Sequence, residues 1–112
     1  DVNHVSFSAE NIQNTKDPIS LDVVKYSTLI SNLSLKKLDL LKLDIEGSEH
    51  RVLNNIFSEK GILPKILCIE FDYFWSLNEK NLDMIIETID LILANQYILY
   101  SVDQANVSFL KH

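Results

Sequence analysis

The chain has 112 residues, of which 46% are hydrophobic and 23% are charged, so it is too apolar for a disordered protein and long enough for one small domain. Sixteen acidic against ten basic residues give a net charge of -6, which argues against nucleic acid as a partner because phosphate binding needs a basic surface. Cys68 is the only cysteine, and neither a membrane-spanning stretch nor a signal peptide is apparent, so we expect no membrane association and a cytoplasmic location.

The first third of the chain has a weak pattern. Residues 1–18 are polar and indicate a loop, with a short extended piece at residues 5–7. Apolar and polar side chains alternate over residues 19–23, which predicts a strand. A short helix over residues 27–33 could be capped by Ser27.

Two apolar strands flank a helix in the middle of the chain. Residues 38–44 are rich in leucine with little polar alternation, which is typical of a strand covered on both faces of a sheet. Ser48 could cap the following helix, which Gly61 and Pro64 should end. Residues 66–71 form the second predicted strand.

The last third begins with the strongest helix pattern. Ser76 and Glu79 form a capping box, and apolar residues recur at helical spacing to about Asn95. Two β-prone runs, residues 97–102 and 107–110, then predict a hairpin. The alternation of strands and helices predicts an α/β fold: part of a Rossmann-like, doubly wound sheet with mostly parallel strands, flanking helices and a C-terminal β-hairpin.

Carboxylates are concentrated where the first strong strand ends. Asp44 and Glu46 would share one direction along an extended chain, and Gly47 permits a sharp turn into the helix. Glu70 ends the next strand, and ligands of α/β sheets gather at the carboxyl ends of strands. We therefore predict that Asp44, Glu46 and Glu70 form one acidic catalytic site. Glu49 lies in the first helical turn, where a carboxylate complements the helix dipole.

The remaining candidates are aromatic residues and histidines. Tyr73 and Trp75 follow the second strand and could line a substrate pocket, although aromatic residues in this position are commonly part of the core. His4, His50 and His112 lack the spacing of metal ligands, so we expect solvated histidines and assign no metal site.

A motif in this region resembles a known family. The stretch Lys42-Leu43-Asp44-Ile45-Glu46-Gly47-Ser48-Glu49, followed by Val52-Leu53, is similar to the signature Lys-x-Asp-x-Glu-Gly-x-Glu of FkbM-type methyltransferases. Ser27-Thr28-Leu29 resembles a Thr-Leu-Asp segment of that family, and residues 66–70 resemble its next strand, which ends in glutamate. Asn95-Gln96-Tyr97 resembles its Gly-Tyr turn without the glycine.

The resemblance implies a methyltransferase that uses S-adenosylmethionine, commonly for O-methyl transfer to a hydroxyl of a sugar or natural product. A small-molecule methyl acceptor is then the expected partner, with Glu49, Tyr73 and Trp75 as substrate-binding candidates. Members bind the cofactor through a Gly-rich turn, whereas this chain has only Gly47 and Gly61. We therefore expect residues 1–112 to be a single segment, the C-terminal part of the domain, which is inactive alone and has no cofactor-binding residues that can be assigned.

Within the methyltransferase interpretation the role of the carboxylates stays open. Asp44 or Glu46 could act as a general base, or a cluster with Glu70 could hold a divalent metal, and the sequence does not choose between these. Alternatively, the missing Gly-rich turn indicates a non-catalytic α/β module that associates with a partner chain. The sheet edge exposed by a missing half would favour pairing with another chain, as in a homo-oligomer. Residues 44–48 also resemble the nucleophile loop of haloacid-dehalogenase-like phosphatases, but no paired aspartates follow.

Overall fold

The computed structural model describes residues 22–72, 74 and 78–112. Three helices and four strands follow one another in the order α1 (Tyr26–Asn32), β1 (Leu38–Leu43), α2 (Glu49–Ser58), β2 (Pro64–Glu70), α3 (Glu79–Ala94), β3 (Tyr97–Asp103) and β4 (Asn106–Lys111). The α/β class and the C-terminal hairpin are thus confirmed. Most of the strand predicted at residues 19–23 lies outside the described residues, as does Ser76 of the predicted capping box.

The four strands form one mixed sheet in the order β1-β2-β4-β3. Strands β1 and β2 pair in parallel, whereas β4 pairs antiparallel to both β2 and β3. The prediction of a mostly parallel sheet is therefore wrong. The hairpin turn between β3 and β4 is too short for a parallel crossover, so these two strands are antiparallel, and β4 is the one that pairs with β2.

The hydrophobic core lies on one side of this sheet. Helices α2 and α3 place Leu53 and Ile92 against it, and both side chains are fully buried. The strands contribute every second residue to the same side, as the pleat requires. These strand residues are Leu43, Leu67, Ile69, Tyr97, Val107 and Phe109.

Strand β1 is not covered on both faces, contrary to the prediction. Its one fully buried residue, Leu43, lies on the helix side, and Leu40 on the opposite side is 51% exposed. Strand β1 is an edge strand of the described sheet, and neither α2 nor α3 packs on that opposite side. A leucine-rich stretch therefore indicated a strand correctly but not the number of its covered faces.

A side-chain hydrogen bond caps the N-terminus of α3 but not that of α2. Helix α3 is capped by Asn78, whose Oδ1 accepts a hydrogen bond from the Asn81 N–H at 3.0 Å. Ser48 is the N-cap of α2, as predicted, although its side chain makes no capping hydrogen bond. Within the described parts of the chain, none of the helices combines the length and hydrophobicity needed to cross a bilayer.

The connection between β1 and α2 is a tight turn in an unusual backbone conformation. Two successive residues are left-handed, Glu46 with φ of 54° and Gly47 with φ of 92°. The predicted conformation of Gly47 is thus confirmed, because glycine adopts positive φ without steric cost. The turn leads the chain from the carboxyl end of β1 into α2. The acidic loop therefore lies at the end of the sheet where β1 finishes.

Replacing Gly47 should destabilise the fold through this turn. Gly47→Ala adds a β-carbon at positive φ and should lower the free energy of unfolding by about 1 kcal/mol or more in a urea titration. Gly61→Ala is the matched control, because φ of Gly61 is not positive and no heavy atom lies within 4 Å of an added β-carbon. Equal midpoints for the two variants would contradict the assigned turn.

Candidate functional site

The turn after β1 is held by the side chain of Glu49. Oε1 of Glu49 accepts hydrogen bonds from the backbone N–H groups of Ile45 at 3.1 Å and Gly47 at 3.2 Å. The Glu49 side chain is almost fully buried, with 3% exposure. A carboxylate that accepts two N–H groups out of solvent forms strong, charge-assisted hydrogen bonds. Glu49 therefore fixes the loop, while its contact with a substrate stays a prediction.

The loop brings Asp44 close to Glu70. The parallel pairing of β1 and β2 aligns Leu43 with Ile69, so the residues that follow them, Asp44 and Glu70, leave neighbouring strands side by side. One carboxylate oxygen from each of Asp44, Glu70 and Asp72 lies within 4.8 Å of the others. We call these three residues the acidic cluster. Two of its members are predicted catalytic residues, and their catalytic role stays a prediction.

Glu46 is not a member of the acidic cluster. Strand β1 ends at Leu43, and the left-handed conformation of Glu46 takes the chain out of the extended form. The reasoning that Asp44 and Glu46 share one direction along a strand is therefore wrong, because alternation of side chains holds only in extended backbone. Glu46 nevertheless acts on the cluster electrostatically, since its negative charge helps to raise the pKa of Asp72.

Lys42 compensates part of the negative charge. Its Nζ lies 2.8 Å from Oδ2 of Asp44 and 3.7 Å from Oε2 of Glu70. The hydrogen bond with Asp44 is the main reason that the pKa of Lys42 is raised. Lys42 and Asp44 are two residues apart and project from the same side of the chain. The ammonium group thus serves two carboxylates of the cluster.

Asp72 is the member of the cluster that sequence reasoning missed. Burial raises its pKa to about 6, with further contributions from the negative charges of Glu46, Glu49, Glu70 and Asp44. Its Oδ2 is buried and has no hydrogen-bond partner among the described residues. Asp72 stands inside a run of aromatic residues, and such a run indicates core packing and not an acidic site. Its position two residues after the end of a strand was the signal that could have identified it.

The loop that carries Asp72 is tied to the hairpin. The backbone N–H of Phe71 donates to the carbonyl of Ala105 at 2.8 Å, and the N–H of Phe74 donates to the carbonyl of Phe71 at 2.9 Å. Phe71 itself is buried in the core. These contacts fix the backbone on either side of Asp72. The predicted substrate residues Tyr73 and Trp75 lie outside the described residues.

His50 lies beside the acidic loop but is engaged elsewhere. Its Nδ1 lies 2.8 Å from the hydroxyl of Thr88, and its Nε2 lies 2.7 Å from Nδ2 of Asn54. The Thr88 hydroxyl donates to the Met84 carbonyl at 2.7 Å, so Nδ1 of His50 is the donor to it. The expectation that His50 is a solvated side chain is therefore wrong, because it links α2 to α3.

The carboxylates of the acidic cluster are chemically suited to bind a hard divalent cation as well as to accept a proton. Carboxylate oxygens are the ligands that such cations take. Lys42, however, already places a positive charge against Asp44 and Glu70. The cluster with Lys42 in place is thus a partly neutralised group in which Asp72 holds the least compensated carboxylate.

Asp72 should make the stability of the fold depend on pH. Since its folded pKa is about 6 against an ordinary value of 3.8, its ionised form disfavours the folded state, and stability falls as pH rises between these values. Asp72→Asn should therefore raise the free energy of unfolding at about pH 7.5 by on the order of 1 kcal/mol, after allowance for solvent screening, and bring no gain at about pH 3.

Asp39 supplies the matched control for this pH dependence. It lies at the other end of β1, and its pKa is lowered mainly by a hydrogen bond to Lys65. A lowered pKa stabilises the fold above the ordinary pKa, so Asp39→Asn should reduce stability near neutral pH or leave it unchanged. Urea midpoints at the two pH values distinguish the variants, and a loss of stability in Asp72→Asn at about pH 7.5 would contradict the assigned environment.

Comparison with known proteins identifies the family. A family model for the methyltransferase FkbM domain matches residues 1–99 of the 112-residue chain. Searches of curated proteins and of solved structures each returned no match. The matched span includes the turn held by Glu49 and all three members of the acidic cluster. Because the match covers most of the chain, this protein belongs to the FkbM methyltransferase family.

Proposed function

We propose that this chain carries the part of an S-adenosylmethionine-dependent O-methyltransferase site that acts on the acceptor hydroxyl. The observation that carries the proposal is the acidic cluster at the carboxyl ends of two neighbouring parallel strands in a methyltransferase domain. Crevices at such strand ends are where α/β domains bind their ligands. A small molecule with a hydroxyl group, such as a sugar or natural product, is the proposed acceptor.

Proton removal is the task that the acidic cluster fits. A hydroxyl oxygen becomes a strong nucleophile when its proton passes to a positioned base, and a base works best when its pKa is near the working pH. Asp72 has a raised pKa of about 6 and a buried oxygen without a hydrogen-bond partner among the described residues. We assign Asp72 as the proton acceptor. Asp44 and Glu70, whose charges Lys42 partly neutralises, would orient the hydroxyl.

Glu46 and Glu49 act on this site in different ways. The charge of Glu46 raises the affinity of Asp72 for a proton, and Glu49 contributes to the same effect while it holds the turn. Removing either charge should therefore make Asp72 a weaker base. The direct contact of Glu49, Tyr73 and Trp75 with the acceptor belongs to the proposal as well.

The turn after β1 and the acidic cluster do not fit the amino-acid end of the cofactor. Its carboxylate needs N–H donors or a basic side chain, as phosphates and carboxylates do at glycine-rich turns. Here the N–H groups of Ile45 and Gly47 already donate to Glu49, and the ammonium group of Lys42 is already paired with Asp44 and Glu70. We therefore assign no cofactor-binding residue among them, and the proposed role of this chain is confined to the acceptor.

Substitutions of the cluster should reduce methyl transfer. In a preparation that contains the complete methyltransferase site, Asp44→Asn and Asp72→Asn should each lower turnover by about a hundredfold or more, because positioned proton transfer contributes roughly 10² to 10⁴. Transfer of a labelled methyl group to the acceptor measures it. Asp39→Asn removes a carboxylate from the other end of β1 and should leave turnover unchanged. Full turnover in both cluster variants would rule out the proposed role.

Cofactor binding tests whether this chain acts on the acceptor alone. The chain of residues 1–112 should bind S-adenosylmethionine weakly or not at all, since the N–H groups of the turn at Ile45 and Gly47 already donate to Glu49 and are not free for its carboxylate. Isothermal titration calorimetry measures this affinity. A dissociation constant in the low micromolar range, equivalent to roughly -8 kcal/mol, would show that these residues suffice for the cofactor and would contradict the assignment to the acceptor alone.

A further inference from the structure

One flank of helix α3 carries apolar side chains that remain accessible. Leu82, Ile86 and Leu93 lie on one stripe of the helix and are 47%, 47% and 42% exposed. They do not belong to the buried core, which α3 enters through Ile92. Three acidic residues of α3 form a separate stripe: Asp83, Glu87 and Asp90. Helix α3 is therefore apolar over a wider sector than its contact with the core requires.

The apolar flank of α3 continues onto strand β3. Leu99 pairs with Phe109 and Val102 pairs with Val107, and because both partners belong to the core, Leu99 and Val102 project to the helix side. They are nevertheless 51% and 60% exposed, since β3 is the last strand of the described sheet. Together with Leu82 they line one apolar groove of about 250 Å³. We define the α3–β3 face as the surface of five residues: Leu82, Ile86, Leu93, Leu99 and Val102.

Strand β3 also presents a backbone edge that can accept another strand. Within the described sheet it pairs with β4 alone, so the hydrogen-bonding groups of its other edge have no strand partner there. Proteins commonly protect such edges with charged residues or proline. Residues 97–102 contain neither, and Asp103 at the end of β3 is its first charge. Tyr100, at an irregularity in the pairing with β4, is 70% exposed.

A second copy of the chain matches the α3–β3 face by symmetry. If two β3 strands pair antiparallel, the two-fold axis runs perpendicular to the sheet and both α3 helices lie on the same side of it. The two β3 strands span about 10 Å, which is also the usual distance between packed helices. The apolar flanks of the two helices can therefore meet above the paired strands. One contact thus satisfies both the backbone edge and the apolar surface.

The area of the α3–β3 face reaches what a specific interface needs. The seven residues of β3 and the sixteen of α3 each extend over about 24 Å, and the strand and helix layers together are about 20 Å deep. Each copy therefore presents on the order of 500 Å², and two copies bury roughly 1,000 Å², which is the lower end for specific interfaces. The charge of -6 per copy opposes association, but salt screens exposed charges beyond about 8 Å. We expect a weak dimer that salt strengthens.

We propose that the chain forms a two-fold dimer through the α3–β3 face, with the two β3 strands paired antiparallel and the two α3 helices in contact. The proposal goes beyond the methyltransferase role and does not depend on it. It assigns the homo-oligomer expected from an exposed sheet edge to β3, and the four-stranded sheets become one sheet of eight strands with β1 at both ends. Phe71, the residue before Asp72, lines the same groove, so the interface would lie beside the loop that carries Asp72.

The molar mass of the full chain tests whether the dimer forms. Light scattering after size-exclusion chromatography should give a mass that approaches twice 12.9 kDa at about 100 µM chain, because an interface of this size is weak. The mass should fall towards that of one chain on about hundredfold dilution. The dimer fraction should rise between about 0.05 and 0.5 M salt. A mass of one chain under all these conditions would overturn the proposal.

Charged substitutions test which surface holds the dimer together. Val102→Lys on the strand and Ile86→Lys on the helix should each weaken dimerisation by about tenfold or more, since lysine protects edge strands and apolar interfaces exclude charge. Asp90→Asn is the matched control on α3, because it changes the net charge by the same amount on the acidic stripe. Leu40→Lys is the control at the opposite edge of the sheet, where Leu40 is 51% exposed.

The outcomes of these substitutions separate the possible contacts. Dissociation by Val102→Lys and Ile86→Lys, with both controls still dimeric, supports the α3–β3 face. A dimer that both lysine variants retain would overturn the proposal, and loss of the dimer in Leu40→Lys alone would identify the β1 side as the contact. Equal weakening by Asp90→Asn would show an effect of net charge and contradict it as well. Far-UV circular dichroism is recorded for each variant, and threonine replaces lysine in any variant that loses its helical signal.

Discussion

The hydrogen bonds from the backbone of Ile45 and Gly47 to the carboxylate of Glu49 are the interaction on which the acidic site depends. They close a turn that contains two left-handed residues and stabilise this conformation, and they bury a negative charge beside it. This turn fixes where Asp44 leaves β1 and places Glu46 and Glu49 close enough to raise the pKa of Asp72. One buried carboxylate therefore fixes the geometry of the turn and contributes to the raised pKa of Asp72, for which the burial of Asp72 itself is the largest cause.

Local pattern was sufficient for most of the secondary structure. The apolar runs predicted β1 and β2, helical spacing predicted α2 and α3, and the last two β-prone runs predicted the hairpin. The position of β4 could not be predicted in the same way, because the order of strands depends on contacts between distant residues. A hairpin of this length requires antiparallel strands but does not state which of the two lies beside β2.

The site was predicted only in part, because some of its features depend on contacts between distant residues. Asp44 and Glu70 come together because the carboxyl ends of paired parallel strands must be neighbours, which the strand pattern already implied. Glu46 was misplaced because positive φ in a residue other than glycine is not visible in a sequence. Asp72 was missed because its burial and its repulsion by four other carboxylates arise only when the loops after β1 and β2 are folded together.

The central claim is that Asp44, Glu70 and Asp72 form one coupled group rather than three independent surface charges. The most direct test is an NMR titration of the side-chain carboxyl carbons of the aspartate and glutamate residues. Asp72 should titrate at about pH 6, and its midpoint should fall in Glu70→Gln, because the repelling charge of a cluster member is then removed. A midpoint near its ordinary value of 3.8 that Glu70→Gln does not change would contradict the claim.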